Sequence, residues 1–164
     1  MKSFQLDQCS NHADFHRKCN QQGFCVVKRL PPRLKDHDDD VVLTDLLAKE
    51  APILTMDFTI VYDNPAYIPP ENPGIIVVKA RPNTARLMET MIAKFKTKFP
   101  EWNSTDWSTL YIEIEESEVY VSRLVDGNID EGQYIGFARD DFSKQLRLMI
   151  EKIRQGRSLP SCTS

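Results

Sequence analysis

The chain has 164 residues, of which 41% are hydrophobic and 27% are charged, as in an ordinary globular protein with a single domain. Its formal net charge of −3 argues against a general nucleic-acid coat protein. No apolar stretch approaches the roughly 20 residues of a membrane span, and residues 1–7 lack the apolar core of a secretory signal. We therefore expect a cytoplasmic protein with no membrane partner.

The first two thirds of the chain alternate short apolar runs with amphipathic segments. The short runs predict β-strands, because they are bounded by turn residues and are too short for helices. The predicted strands are residues 4–6, 24–27, 52–56 and 75–78. The predicted helices are residues 11–22, a segment from Asp38 to about Glu50, and a segment from Asn83 to Phe99. This alternation predicts an α/β domain with parallel strands.

The last third has a different pattern. Residues 111–114 and 119–121 alternate around an acidic turn and predict a β-hairpin. Residues 126–134 are predicted to form a polar connection, and a helix is predicted from about Arg139 to Gln155. We therefore divide the chain into a domain at 1–125, a C-terminal helical appendage of that domain at 126–156, and a tail at 157–164 that we expect to be disordered.

Acidic residues follow two of the predicted strands. Asp7 comes directly after the first strand and Asp57 directly after the third, while residues 38–40 are aspartates that open the intervening helix. Ligands of open α/β sheets bind at the carboxyl ends of the strands. Carboxylates gathered there suit Mg²⁺ or Mn²⁺, which can activate water against a phosphodiester. Alternatively, each aspartate taken alone caps a helix or occupies a loop.

A basic tract lies between these acids. Residues 16–35 contain no acidic side chain, and Lys28, Arg29 and Arg33 are candidates to hold substrate phosphates. The alternative for each of them is a solvated surface position.

A rival metal site is suggested by Cys9, His12, His16 and Cys19, which share one face of a helix and are all zinc-ligand types. The ends of this array lie roughly 15 Å apart on a continuous helix. A tetrahedral zinc needs each ligand at about 2.0–2.3 Å. Only His12 and His16 could bind together, with a third ligand from elsewhere, and Cys19 is better explained as a core residue.

The ordered set of motifs resembles the PIN-like nuclease superfamily, in its branch of short bacterial proteins related to toxin ribonucleases. That family has a first strand ending in Asp, a Gly-started second strand, an acidic helix start before a Leu-Leu-x-x-Ala-like stretch, a Leu-Thr-x-Asp strand and a Pro-Gly-Ile-Ile-Val strand. The corresponding segments here are residues 4–7, 23–27, 40–48, 54–57 and 73–78, and the hairpin at 110–124 fits the family's end.

The resemblance implies a three-layer α/β/α fold with a mostly parallel central sheet and a C-terminal β-hairpin. The C-terminal helix predicted after residue 125 has no counterpart in the family and is an addition to that fold. The resemblance implies that Asp7, Asp40 and Asp57 bind Mg²⁺ or Mn²⁺ and cleave RNA, with Asp39 as the alternative to Asp40. It also implies a possible toxin role with a cognate antitoxin as partner.

The chain departs from the family pattern at two places. Gln8 and Cys9 follow Asp7 where the family commonly has Glu-Asn, and Thr59 stands where it usually has another Asp. The alternative hypothesis is therefore a catalytically degenerate PIN-like module that acts through protein–protein interaction.

An apolar stripe on the last predicted helix suggests self-association. Both sheet faces already have helices to cover them, so we expect this stripe to lie at the interface of a homodimer, because an exposed patch of this size would favour association. The stripe consists of Phe142, Leu146, Met149, Ile150 and Ile153.

Overall fold

The computed structural model contains a mixed sheet with helices on both faces. It describes residues 3–7, 13–21, 26–28, 30–34 and 38–156. The predicted disordered tail lies outside these residues. None of the helices within them is long and apolar enough to cross a membrane.

In the part of the chain that the structure describes, the sheet has eight strands in the order β2-β1-β3-β4-β5-β6-β7, with β8 also paired to β6. Strands β1 to β5 are parallel, and β6 runs antiparallel to β5, β7 and β8. The prediction of an α/β fold with a mostly parallel sheet is confirmed. The strands are β1 (Ser3–Leu6), β2 (Val26–Lys28), β3 (Ile53–Thr55), β4 (Ile75–Val78), β5 (Leu110–Ile114), β6 (Glu118–Val125), β7 (Asn128–Ile129) and β8 (Gln133–Gly136).

Strand β4 shows why the sequence forms a parallel sheet here. All of its residues, Ile75–Val78, are completely buried, because helices cover both faces of the sheet. Parallel strands in such a position are continuous apolar runs and show no alternation. The β-branched side chains of this run also favour the extended backbone.

Five α-helices accompany the sheet within the described residues. Helix α2 ends at Leu47, before the predicted Glu50. Helix α4 begins two residues later than the predicted Asn83, because the extended Thr84 is its N-cap and accepts a hydrogen bond from the Leu87 amide. The helices are α1 (Ala13–Gln21), α2 (Asp39–Leu47), α3 (Ile60–Asp63), α4 (Ala85–Lys98) and α5 (Phe142–Arg154).

Each face of the sheet has its own core. Helices α1, α4 and α5 cover one face, and Cys19 is completely buried there, as predicted, together with Trp102 and Trp107. Helix α2 covers the other face through Val42, Leu43, Leu46 and Leu47. The second core borders the carboxyl edge where the acidic residues lie.

Residues 126–156 are more than a helical appendage. They add β7 and β8 to the sheet, where only a polar connection was predicted. Helix α5 then packs against β6 and β8, and its whole apolar stripe is buried in the core of its own domain. The expectation that the stripe lies at a dimer interface is therefore wrong, and the homodimer stays a prediction without that support.

We predict that truncating the stripe changes stability and not assembly. Leu146 is completely buried, so Leu146→Ala should lower the free energy of unfolding by about 2–5 kcal/mol through lost burial and a cavity. Urea denaturation measures this loss, and sedimentation velocity should give the same oligomeric state for both proteins. A change of oligomeric state with little loss of stability would restore the interface hypothesis.

Candidate functional site

Asp7 lies at the carboxyl edge of the sheet. It follows β1 directly and is only 5% exposed. Its Oδ2 accepts a hydrogen bond of 2.7 Å from the hydroxyl of Thr55, the last residue of β3. Strands β1 and β3 are parallel neighbours, so both residues belong to the same edge. Asp7 is thus a buried carboxylate at the edge where α/β sheets bind ligands.

Asp57 is joined to Asp7 through Thr55. Its backbone N–H donates to the Thr55 hydroxyl at 2.9 Å. Its own Oδ1 accepts hydrogen bonds from the Thr59 amide at 3.0 Å and from the Thr59 hydroxyl at 2.9 Å. The structure therefore brings Asp7 and Asp57 to one edge and fixes their relative position through a single buried hydroxyl.

The backbone of α2 begins at the same edge. This helix connects the carboxyl end of β2 to the amino end of β3, which is parallel to it in the sheet, so its first residues face the carboxyl edge. Its far end is held by Gln5, whose Nε2 donates to the carbonyls of Leu46 (2.6 Å) and Ala51 (2.7 Å). Asp39 and Asp40 thus begin α2 near this edge.

The side chains of Asp39 and Asp40 lie outside what the structure describes. Asp38 is the N-cap residue of α2, but its side chain makes no capping hydrogen bond. Within the described part of the chain, no group of three or more His, Cys, Asp or Glu residues is arranged to hold a metal ion. A third ligand beside Asp7 and Asp57 therefore depends on the aspartates of this helix start.

The candidate phosphate-binding residues are less well placed. Arg33 donates to Asp45 of α2 at 2.7 Å, and Lys49 pairs with the same carboxylate at 3.2 Å. The hydrogen bond from Arg33 holds the pKa of Asp45 below its ordinary value. Asp45 lies six residues into α2, roughly 9 Å along the axis from its start. Arg33 thus has a carboxylate partner on the flank of α2, while the Lys28 side chain and Arg29 lie outside the described residues.

The zinc alternative also loses support. Cys19 is completely buried in the apolar core, whereas His16 is half-buried on α1 with its Nε2 at 3.2 Å from Nδ2 of Asn20. Cys19 is therefore a core residue, as expected, and the pairing of His12 with His16 stays a prediction. Cys9 and His12 lie outside the described residues.

A second polar group at this edge was not predicted. Glu113 of β5 is 4% exposed, and its Oε1 accepts a hydrogen bond of 2.6 Å from the completely buried Tyr111 hydroxyl. Its Oε2 lies 2.9 Å from Nζ of Lys79, the residue that follows β4. Lys79 also lies 3.7 Å from Oε1 of Glu115. A buried carboxylate is thus held between a phenol and an ammonium group.

The charges of this group perturb one another. Burial alone lowers the pKa of Lys79, but the hydrogen bond to Glu113 and the nearby carboxylates outweigh it and raise that pKa. Burial and the hydrogen bond to Glu113 raise the pKa of Tyr111 well above its ordinary range. Burial also raises the pKa of Glu115, although Lys79 opposes this shift. Lys79 is therefore a firmly protonated cation at neutral pH.

The sequence contains one indication of this buried polar group, which is the spacing of Tyr111 and Glu113. Tyr111 and Glu113 are two positions apart on a strand and so point to the same face, which is the buried face beside α2. An acid in an otherwise apolar strand is rarely fully buried without a partner. The partner, Lys79, follows β4, which is next to β5 in the sheet but far from it in the sequence. Hydrophobic periodicity within one strand therefore gives no indication of this partner.

No protein-family model, curated protein or solved structure matches the chain.

Proposed function

We propose that the protein is a PIN-like, Mg²⁺- or Mn²⁺-dependent nuclease that cleaves RNA phosphodiester bonds in the cytoplasm. The observation that carries the proposal is the Asp7–Thr55–Asp57 hydrogen-bonded chain at the carboxyl edge of two neighbouring parallel strands. The PIN-like assignment is supported by the order of the sequence motifs and by helices on both faces of a mostly parallel sheet. A toxin role with a cognate antitoxin belongs to the same proposal.

The residues suit a hard divalent cation. Carboxylate oxygens are the ligands that Mg²⁺ and Mn²⁺ prefer, and one or two direct carboxylates with waters are sufficient. Asp7 and Asp57 would hold the ion, with Asp40 or Asp39 as the third acid. Thr55 would orient the Asp7 carboxylate and hold the Asp57 backbone beside it, while Thr59 would orient the Asp57 carboxylate. A bound ion would supply Lewis acidity toward a phosphate oxygen and an activated water.

Cleavage of a labelled single-stranded RNA in Mn²⁺ tests the proposal. We expect the wild-type protein to cleave it and both EDTA and Asp7→Asn to abolish cleavage. Asp106→Asn is the matched control, because Asp106 precedes β5 at the opposite edge of the sheet and is an exposed partner of Arg154. Equal cleavage by Asp7→Asn and wild type would contradict the proposal, since it would point to a contaminating nuclease.

The degenerate interaction module is the second candidate. It is favoured by Thr59, which occupies the place of a family acid and donates two hydrogen bonds to Oδ1 of Asp57, so this oxygen is already engaged. This alternative predicts no cleavage in Mn²⁺ and a stable complex with the product of a neighbouring gene. Coexpression followed by size-exclusion chromatography distinguishes the two candidates.

A further inference from the structure

An aromatic cleft adjoins the candidate metal site. A cavity of about 470 Å³ opens at the carboxyl edge between α3, β6 and β8. Its volume falls within the roughly 300–1,000 Å³ of small-ligand sites. Thr59 lines this cavity and also donates to the Asp57 carboxylate, so one residue joins the cleft to the acidic site.

Three of the rings in the cleft face solvent. Tyr62 is 63% exposed, Tyr134 is 48% exposed and Phe58 is 41% exposed, although large aromatic side chains are normally mostly covered. Tyr134 also lies against Tyr120, with ring centroids 5.0 Å apart. These rings come from α3, its preceding turn, β6 and β8, so the fold gathers separate segments into one aromatic surface.

The cleft is also lined by charged side chains of both signs, which are the carboxylates of Asp63 and Glu113 and the ammonium group of Lys79. The Glu113–Lys79 pair lines it, and the Lys79 ammonium has three N–H donors against two carboxylate partners. The Phe58 ring lies 5.3 Å from the Arg81 guanidinium and 5.8 Å from Nζ of Lys79. Two cations thus stand beside an exposed ring.

This combination matches an unpaired nucleobase on a phosphodiester chain. Bases stack on exposed aromatic faces, their edges carry both donors and acceptors, and basic side chains neutralise the adjoining phosphates. Aromatic rings beside acids can also hold a ligand ammonium group. Here Lys79 pairs with Glu113 and Glu115, and Arg81 adds a second positive charge beside Phe58. These two cations match the two glutamates in number, which disfavours a ligand cation at that pair.

We propose that the cleft formed by Phe58, Tyr62, Tyr134 and Lys79 binds an unpaired base of single-stranded nucleic acid next to the carboxylates of Asp7 and Asp57. The inference rests on the proposed nuclease function and specifies where a base of its substrate would be held. It gives the exposed rings the role of positioning the chain, so that a neighbouring phosphate reaches the acidic edge.

Fluorescence anisotropy of a short fluorescein-labelled RNA of mixed sequence tests this binding in EDTA, where metal-dependent cleavage is suppressed. We expect Tyr62→Ala and Tyr134→Ala each to weaken binding by ~5- to 150-fold, the affinity change that loss of one stacking contact produces. Tyr62→Phe should bind like wild type. Tyr67→Ala is the matched control, because Tyr67 is 46% exposed but does not line the cavity.

An abasic oligonucleotide of the same length should bind the wild-type protein as weakly as the RNA binds the alanine variants. A DNA of the same sequence shows whether the sugar contributes to binding. The inference would be overturned if the abasic oligonucleotide bound as tightly as the RNA. It would also be overturned if Tyr62→Ala and Tyr67→Ala lost equal amounts of binding affinity. Melting temperatures confirm that each variant is folded. Binding without cleavage in Mn²⁺ would refute the nuclease proposal alone, whereas cleavage with no effect of the cleft variants would refute only the base-binding site.

Discussion

Lys79→Met should lower the free energy of unfolding by about 3–5 kcal/mol. The substitution keeps the apolar stem but leaves the Glu113 carboxylate, which is 4% exposed, without its cation. Removing one partner of a buried ion pair is costly because the remaining charge keeps its desolvation penalty and loses its compensation. Urea denaturation at neutral pH measures the loss.

A second substitution separates this mechanism from a simple packing defect. Glu113→Gln in the Lys79→Met background removes the uncompensated charge and keeps an oxygen that can accept from the Tyr111 hydroxyl. The double variant should therefore be more stable than Lys79→Met alone, with a coupling energy of about 0.5–3 kcal/mol. Additive losses from the two substitutions would show that the ion pair does not stabilise the fold in this way.

The sequence was sufficient for the parallel part of the sheet. Short apolar runs separated by helical segments leave few alternatives to parallel strands, and residues directly after such strands must lie at the carboxyl edge. Asp7 and Asp57 could therefore be assigned to one edge before their contacts were known. The hydroxyl of Thr55 that joins them was less obvious, because its role depends on the register between β1 and β3.

The C-terminal part was harder to predict. In β8, Gln133–Gly136, only Ile135 is fully buried, so the segment has no alternation to mark it as a strand. Helix α5 packs against β6 and β8, so a prediction without β8 lacks part of the sheet surface that α5 covers. Without β8, the sequence offers Leu146 and the rest of the α5 stripe no surface within the chain to pack against. The expectation that the α5 stripe lies at a dimer interface follows from that one missing strand.

The Lys79–Glu113 pair and the aromatic cleft could not be predicted for a related reason. Their members come from the ends of β4 and β5 and from α3, β6 and β8, and each is unremarkable in its own segment. Tyr134 in particular is the last residue of the segment 126–134, which the sequence predicts to be a polar connection. Local patterns report which face a residue occupies, but the juxtaposition of distant strand ends depends on the order of the strands in the sheet.

Millimolar Mn²⁺ should raise the stability of the wild-type protein. A ligand that binds only the native state adds about 2.7 kcal/mol when its concentration is a hundredfold above Kd. Asp7→Asn should abolish this rise, because it removes a charged ligand while keeping an oxygen that can accept from the Thr55 hydroxyl. Thermal unfolding with and without Mn²⁺ measures both effects, and Asp106→Asn should respond like wild type.

Thr55→Val makes this prediction specific to the Asp7–Thr55–Asp57 chain. The substitution retains both carboxylates but removes the hydroxyl that donates to Asp7 and accepts from the Asp57 amide. Groups that orient metal ligands typically contribute 10- to 100-fold in affinity, so the Mn²⁺ concentration for half-maximal stabilisation should rise by about that factor. If wild type shows no Mn²⁺ response, the acids at this edge do not form a metal site and the interaction-module hypothesis is favoured. If Thr55→Val responds like wild type while Asp7→Asn does not, the ion binds Asp7 without the hydrogen-bonded arrangement on which the proposal depends.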